Sequence, residues 1–165
     1  MTAEKSAMLD AAARILDRPS LIARIQAAKK AGQKIVFANG CFDVLHAGHI
    51  RYLQGASELG DVLVVAINAD PQVSALKGMG RPILAEHDRA ELVASIEVVD
   101  FVTIFAEPTV EQLLLAIQPD IHAKGTDYTE ETVPERDVVR SFGGRVAIVG
   151  DPKNHSTSEI LKRFK

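Results

Sequence analysis

Residues 34–67 read KIVFANGCFDVLHAGHIRYLQGASELGDVLVVAI. Two apolar runs, KIVFA (34–38) and DVLVVAI (61–67), bracket a segment in which Ile50, Leu53 and Ala56 recur at spacing three. The runs are continuous rather than alternating, as in strands buried on both faces, and the spacing of three is that of a helix. A strand, a crossover helix and a second strand make a parallel pair, because two parallel neighbours need a connection of that length.

The unit repeats outward. DFVTIF (100–105), DIHAK (120–124) and RVAIV (145–149) are further runs of buried-strand type. Segment 89–96 places Ala90, Val93, Ala94 and Ile96 at helical spacing. Segment 109–117 opens with Pro108-Thr109 and carries Gln112 three residues on, a capped helix start. Segment 136–142 stops at Gly143-Gly144, which suits a helix C-terminus. Residues 34–165 therefore read as a doubly wound α/β domain with a five-stranded parallel sheet. Ahead of it, 3–17 and 20–31 read as two amphipathic helices, punctuated by Pro19-Ser20 and closed by Gly32. Residues 1–33 carry no obvious chemistry and read as a helical extension for packing or for a homodimer contact.

Composition narrows the function. The chain has 165 residues, 47% hydrophobic and 25% charged, which suits one globular domain with its own core. Against 22 acidic side chains stand 19 Lys and Arg, a net charge of −3, so no general basic surface exists for nucleic acid. A local basic pocket for a small anion remains compatible with that charge. Cys41 is the one cysteine, which excludes an internal disulfide and a cysteine-based zinc site. The apolar runs are too short to span a membrane, and MTAEKSAMLD lacks the features of a secretory signal. A cytoplasmic protein without membrane or nucleic-acid partners is predicted.

Open α/β sheets bind ligands beyond the carboxyl ends of their strands, where the strand order reverses. The first run ends in Asn39-Gly40 and continues to His46-Ala47-Gly48-His49, and the fourth ends in Lys124-Gly125-Thr126-Asp127-Tyr128. If those strands are neighbours, their loops face one crevice. Gly40 then lets the backbone approach a ligand closely, and Gly48 leaves room beside a helix N-terminus. His46 and His49 straddle that helix's first turn, where free N–H groups and the dipole favour an anion. A zinc pair would lack a third ligand, so no metal ligand is assigned. Phe42 and Asp43 read as fixing and underpacking the loop, and Cys41 as a small buried filler.

Two other stretches bear on an anion. ALKGMGRPILAEHDRAEL (75–92) lacks the third glycine of a dinucleotide fingerprint. It does place Lys77, Arg81 and Arg89 near the end of the second strand, as a cationic lid over phosphates. Ser156-x-x-Glu159 is a capping box, and the same hydroxyls and N–H groups would form a second phosphate cradle.

Together these motifs resemble the nucleotidyltransferase superfamily with the HxGH signature. Within it the chain most resembles the D-glycero-D-manno-heptose 1-phosphate adenylyltransferase domains that make ADP-heptose. NGCFDVLHAGHIRYL, LKGMGRPI with DRAEL, VDFV, KGTDY, GGRV and STSEI stand in that family's order over residues 34–165. The resemblance implies a Rossmann-like nucleotidyltransferase fold and in-line attack by a substrate phosphate on the α-phosphorus of a Mg²⁺-bound nucleoside triphosphate. It implies that His46 and His49 stabilise the transition state and Lys77 grips the triphosphate. Arg89, Ser156 and Thr157 would hold the phosphate tail. Asn39, Gly40, Phe42, Gly48, Lys124 and Gly125 would lie against the nucleotide, and Asp127 or Tyr128 near its base or ribose. ATP and heptose 1-phosphate are the favoured substrates. CTP with glycerol 3-phosphate or a similar polyol phosphate is the alternative, and a non-catalytic nucleotide sensor the outside one. Thr126, Ser158, His155 and His122 depart from the family's usual residues, and those departures bear on the acceptor rather than on the transfer.

Overall fold

In the computed structural model, which describes residues 10–152 and 161–162, the apolar runs form one parallel sheet. Its strands are β1 (Ile35–Gly40), β2 (Val62–Asn68), β3 (Phe101–Phe105), β4 (Ile121–Lys124) and β5 (Arg145–Ile148), in the order β3-β2-β1-β4-β5. The helices are α1 (Arg18–Lys30), α2 (Ala47–Ser57), α3 (Asp70–Lys77), α4 (Glu86–Ala94), α5 (Glu111–Ile117) and α6 (Arg136–Ser141).

Strand side chains alternate between two cores. Ile35 and Phe37 of β1 face Leu21 and Ile25 of α1 and Leu113 and Leu114 of α5. Val36 and Ala38 face Leu53 of α2 and Ala90 and Val93 of α4. Every residue of β2 is buried, which explains its uninterrupted apolar run. The chain builds outward from β1 through β2 to β3, then crosses back to lay β4 on the free side of β1. The strand order therefore reverses between β1 and β4, as the sequence-level reading of a doubly wound sheet requires.

Some local expectations fail. The helix predicted over 3–17 is not continuous. Its described part is a 3₁₀ turn, Ala11–Arg14, followed by extended chain in which Ile15 bridges Val102 and the Leu16 N–H donates to Val102 O at 2.8 Å. Pairing against the outer strand satisfies that backbone, and Asp17 then caps α1 by accepting from the Ser20 N–H. Thr109 does not cap α5, because the helix begins two residues later with Val110 at the N-cap and no side-chain cap bond. Helix α3 was not expected from the sequence, and its last three residues, 75–77, open the segment read as a lid. At the end of α6 the chain turns through Gly143 at φ +86°, and a Cβ on Gly144 would lie 2.7 Å from Pro119 O.

Candidate active site

The carboxyl ends of β1 and β4 open into a cleft of about 660 Å³, within the usual size of a small-molecule site. From the β1 side it is lined by Asn39, Gly40, Phe42, His46, Gly48 and His49, and from the β4 side by Lys124, Gly125, Asp127 and Tyr128. Lys77, at the C-terminal end of α3, closes another wall.

The histidines are built into the start of α2. His46 is the N-cap, and its Nδ1 accepts the Gly48 N–H at 3.1 Å. His49 Nδ1 accepts the His46 N–H at 3.3 Å, completing a reciprocal box. The two rings stack with centroids 3.9 Å apart. Because each Nδ1 acts as an acceptor, the neutral rings carry their proton on Nε2, as N–H donors. Phe42 is buried under His49, ring to ring at 5.3 Å, with a left-handed backbone (φ +48°) uncommon for a large residue. Strain of that kind, on the order of 1–3 kcal/mol, persists where neighbours over-determine it. Here the Phe42 ring fills the space a Cβ on Gly40 would meet at 3.1 Å.

Asp43, 2% exposed, ties this loop to segment 81–84. Its carboxylate accepts from Arg81 Nε, from the Ile83 N–H at 2.7 Å and from the Leu84 N–H at 3.1 Å. Burial pushes its pKa up, but the hydrogen bonds from Leu84, Arg81 and Ile83 outweigh burial and hold the carboxyl below its ordinary value. Ser74 Oγ adds a bond to Arg81 O. The segment read as a lid is thus pinned at Arg81 and beyond, with Gly78, Met79 and Gly80 forming an exposed turn ahead of those bonds.

Arg89 is the clear correction. The resemblance puts it at the phosphate tail, yet its side chain is fully buried and does not line the cleft. Nε donates to Leu84 O at 3.0 Å, Nη1 to Cys41 O at 2.6 Å and Nη2 to Asp70 Oδ1 at 2.7 Å. It braces the loops from beneath. Cys41 is corrected as well: it is half-buried and lines the cleft, with Sγ 3.9 Å from Asn68 Oδ1. Ser156 and Thr157 lie outside the described residues.

Across the switch point, Lys124 is 7% exposed, with Nζ 3.7 Å from Glu135 Oε2 and 4.8 Å from the Tyr128 ring centroid. Burial lowers the amine's pKa and Glu135 offsets part of that. Tyr52 of α2 donates its buried hydroxyl to Ala123 O at 2.8 Å, so one helix is bonded to both sides of the cleft. Burial drives that phenol's pKa far up, which leaves the hydroxyl a permanent donor. Tyr52, Asn68 and Glu135 were missed from sequence, although Tyr52 follows His49 at the spacing that shares a helix face.

Residues 37–163 match the cytidylyltransferase-like family. The chain belongs to that family. It is 47% identical over 154 residues to the bifunctional protein HldE of Pelobacter propionicus, covering 93% of this chain and 32% of that protein. The HldE of Magnetococcus marinus is 48% identical over 133 residues, 81% of this chain and 27% of its own length. The chain thus spans about a third of the length of the curated relatives it matches. Among solved structures, the lipopolysaccharide core biosynthesis protein from Thermoplasma volcanium aligns with a TM-score of 0.64 and 29% identity. That alignment covers 74% of this chain and the whole of the other. Among the described residues, no helix is long and apolar enough to cross a membrane.

Proposed function

We propose that this cytidylyltransferase-like domain transfers AMP from MgATP to a sugar 1-phosphate, heptose 1-phosphate foremost, and releases pyrophosphate. The observation that carries the proposal is the stacked His46–His49 pair lining the cleft, with both Nδ1 atoms committed to the helix start so that the proton of each neutral ring sits on Nε2. The acceptor's phosphate oxygen bonds to the α-phosphorus as the bond to the bridging oxygen breaks, and pyrophosphate leaves with that electron pair. No proton needs to move for this exchange, so catalysis reduces to holding the partners in line and stabilising the added charge. His46 and His49 donate to the α-phosphate oxygens, and Lys77 offsets charge on the departing pyrophosphate. Lys124, Asp127 and Tyr128 form the nucleoside end. Asn68, Phe105 and Thr109, on the opposite wall, leave space for the acceptor.

Among the described residues no cluster of three His, Cys, Asp or Glu side chains could hold a metal by itself. A Mg²⁺ ion bound mainly by phosphate oxygens and water fits that donor set, and it would supply charge neutralisation along the triphosphate. A second reading, a cytidylyltransferase for glycerol 3-phosphate or a similar polyol phosphate, fits the same family. A pyrophosphate-release screen of ATP and CTP against heptose 1-phosphate and glycerol 3-phosphate separates the two. The expected result is turnover with ATP and the sugar 1-phosphate, whereas turnover with CTP alone would replace it by the second reading. Nucleotide binding without release on any acceptor would favour the sensor.

The phosphate cradle expected at the Ser156-x-x-Glu159 capping box has its own test. As a helix cap alone, Ser156 could become Asp at little cost, since aspartate caps about as well. Against a triphosphate, the added carboxylate repels. Ser156→Asp is expected to fold with an unchanged melting temperature and to lose MgATP affinity sharply in a calorimetric titration. Unchanged affinity would remove Ser156 from the site.

A further inference from the structure

His122 stands in the middle of β4, fully buried, at a strand position where the surrounding pattern is apolar. In the β1–β4 register it lies opposite Phe37, and its ring packs edge-on to that phenyl at 5.6 Å. Its Nε2 reaches 2.9 Å from Asn39 Oδ1, two residues further along the same face of β1. Its Nδ1 is buried without a hydrogen-bond partner. An orphaned polar atom in a core is destabilising, so the residue calls for a reason beyond packing.

The protonation state follows from the surroundings. Burial, reinforced by the Lys124 charge, pushes the imidazole down to about 3, so the ring is neutral. One neutral tautomer would strand an N–H donor at Nδ1, and stranded buried donors are rarer than under-used acceptors. The proton therefore belongs on Nε2, and Asn39 meets it with its carbonyl oxygen. Asn39 itself lines the cleft at the end of β1, and Nδ2 is the amide atom that His122 does not engage. Without that bond the amide could flip and present an oxygen to an anionic ligand.

We propose that His122 is a positioning residue, locking Asn39 so that its Nδ2 donates to a phosphate oxygen of nucleotide bound in the cleft. The inference depends on the cleft being the nucleotide site proposed above. Two measurements test it. Imidazole ¹⁵N shifts of the nucleotide-free protein report the tautomer directly, and the expected result is the proton on Nε2. Calorimetric MgATP affinity is then compared across variants. His122→Leu should melt at or above the wild-type temperature, because the orphaned Nδ1 is gone, yet bind MgATP about tenfold more weakly.

His122→Gln, whose amide can donate to Asn39 from the same strand position, should restore most of the affinity. Asn39→Ala should cost less affinity in the His122→Leu background than in wild type, the mark of two groups acting as one. A proton on Nδ1, or a folded His122→Leu protein with wild-type affinity, would overturn the inference alone. Wild-type protein that does not bind MgATP would overturn the proposed function and this inference together.

Discussion

His49→Ala is expected to lower kcat by on the order of 10²–10³, the usual loss when one charge-stabilising donor leaves an active site. MgATP affinity should change far less, because the donor acts on charge that grows only as the new bond forms. The alanine variant alone is ambiguous, since His49 also accepts the His46 N–H and packs on Phe42. Losing that cap bond costs roughly 1 kcal/mol. His49→Asn separates the two roles. Its carbonyl oxygen lies near the old Nδ1 position and can keep the cap, but it offers nothing at the place of Nε2. The expected pattern is a restored melting temperature with turnover still depressed. Turnover that returns along with stability would make His49 a helix cap and nothing more.

Arg89→Ala should unfold the site rather than blunt its affinity. The guanidinium is fully buried and donates to Leu84 O and Cys41 O, which lose that donor when it goes. Its third contact, Asp70, is 37% exposed and can return to water, so that pair contributes less. The lost donor bonds and a large cavity together cost about 3–5 kcal/mol. For a domain of this size that is a fall in melting temperature of order 10 °C. Arg89→Lys should fail nearly as badly, because one ammonium cannot replace a planar fork serving three segments. A residue that gripped phosphate would behave oppositely, with a stable lysine variant and a selective loss of MgATP affinity.

Arg89 also shows where sequence reading stops. Its position near two other cations in a glycine-rich segment suggested an anion grip, but two of its three partners are backbone carbonyls 5 and 48 residues away. Nothing in a side-chain pattern marks a carbonyl. The strands were legible for the converse reason: β2 is buried at every position, and only an apolar run can occupy such a place. The adjacency of β1 and β4 stood in the sequence only as a condition, suggested by the glycine-rich polar loops that follow both strands, and the sheet supplies it. Helix α3 was not legible, since only Val73 of its eight residues is buried and no period stands out. Asp43 was read as a loop fixer, which its bonds to Arg81, Ile83 and Leu84 bear out. The partner segment, some 40 residues on, became visible only in the fold.

The most direct test of the account is the product itself. MgATP and heptose 1-phosphate are incubated with the protein and followed by ³¹P NMR. AMP transfer to the sugar 1-phosphate should give growth of the two coupled signals of an ADP-sugar together with free pyrophosphate, in equal amounts, and neither in the His49→Asn variant over the same period. Signals of ADP and inorganic phosphate in their place, or unchanged ATP with every sugar and polyol phosphate offered, would contradict it.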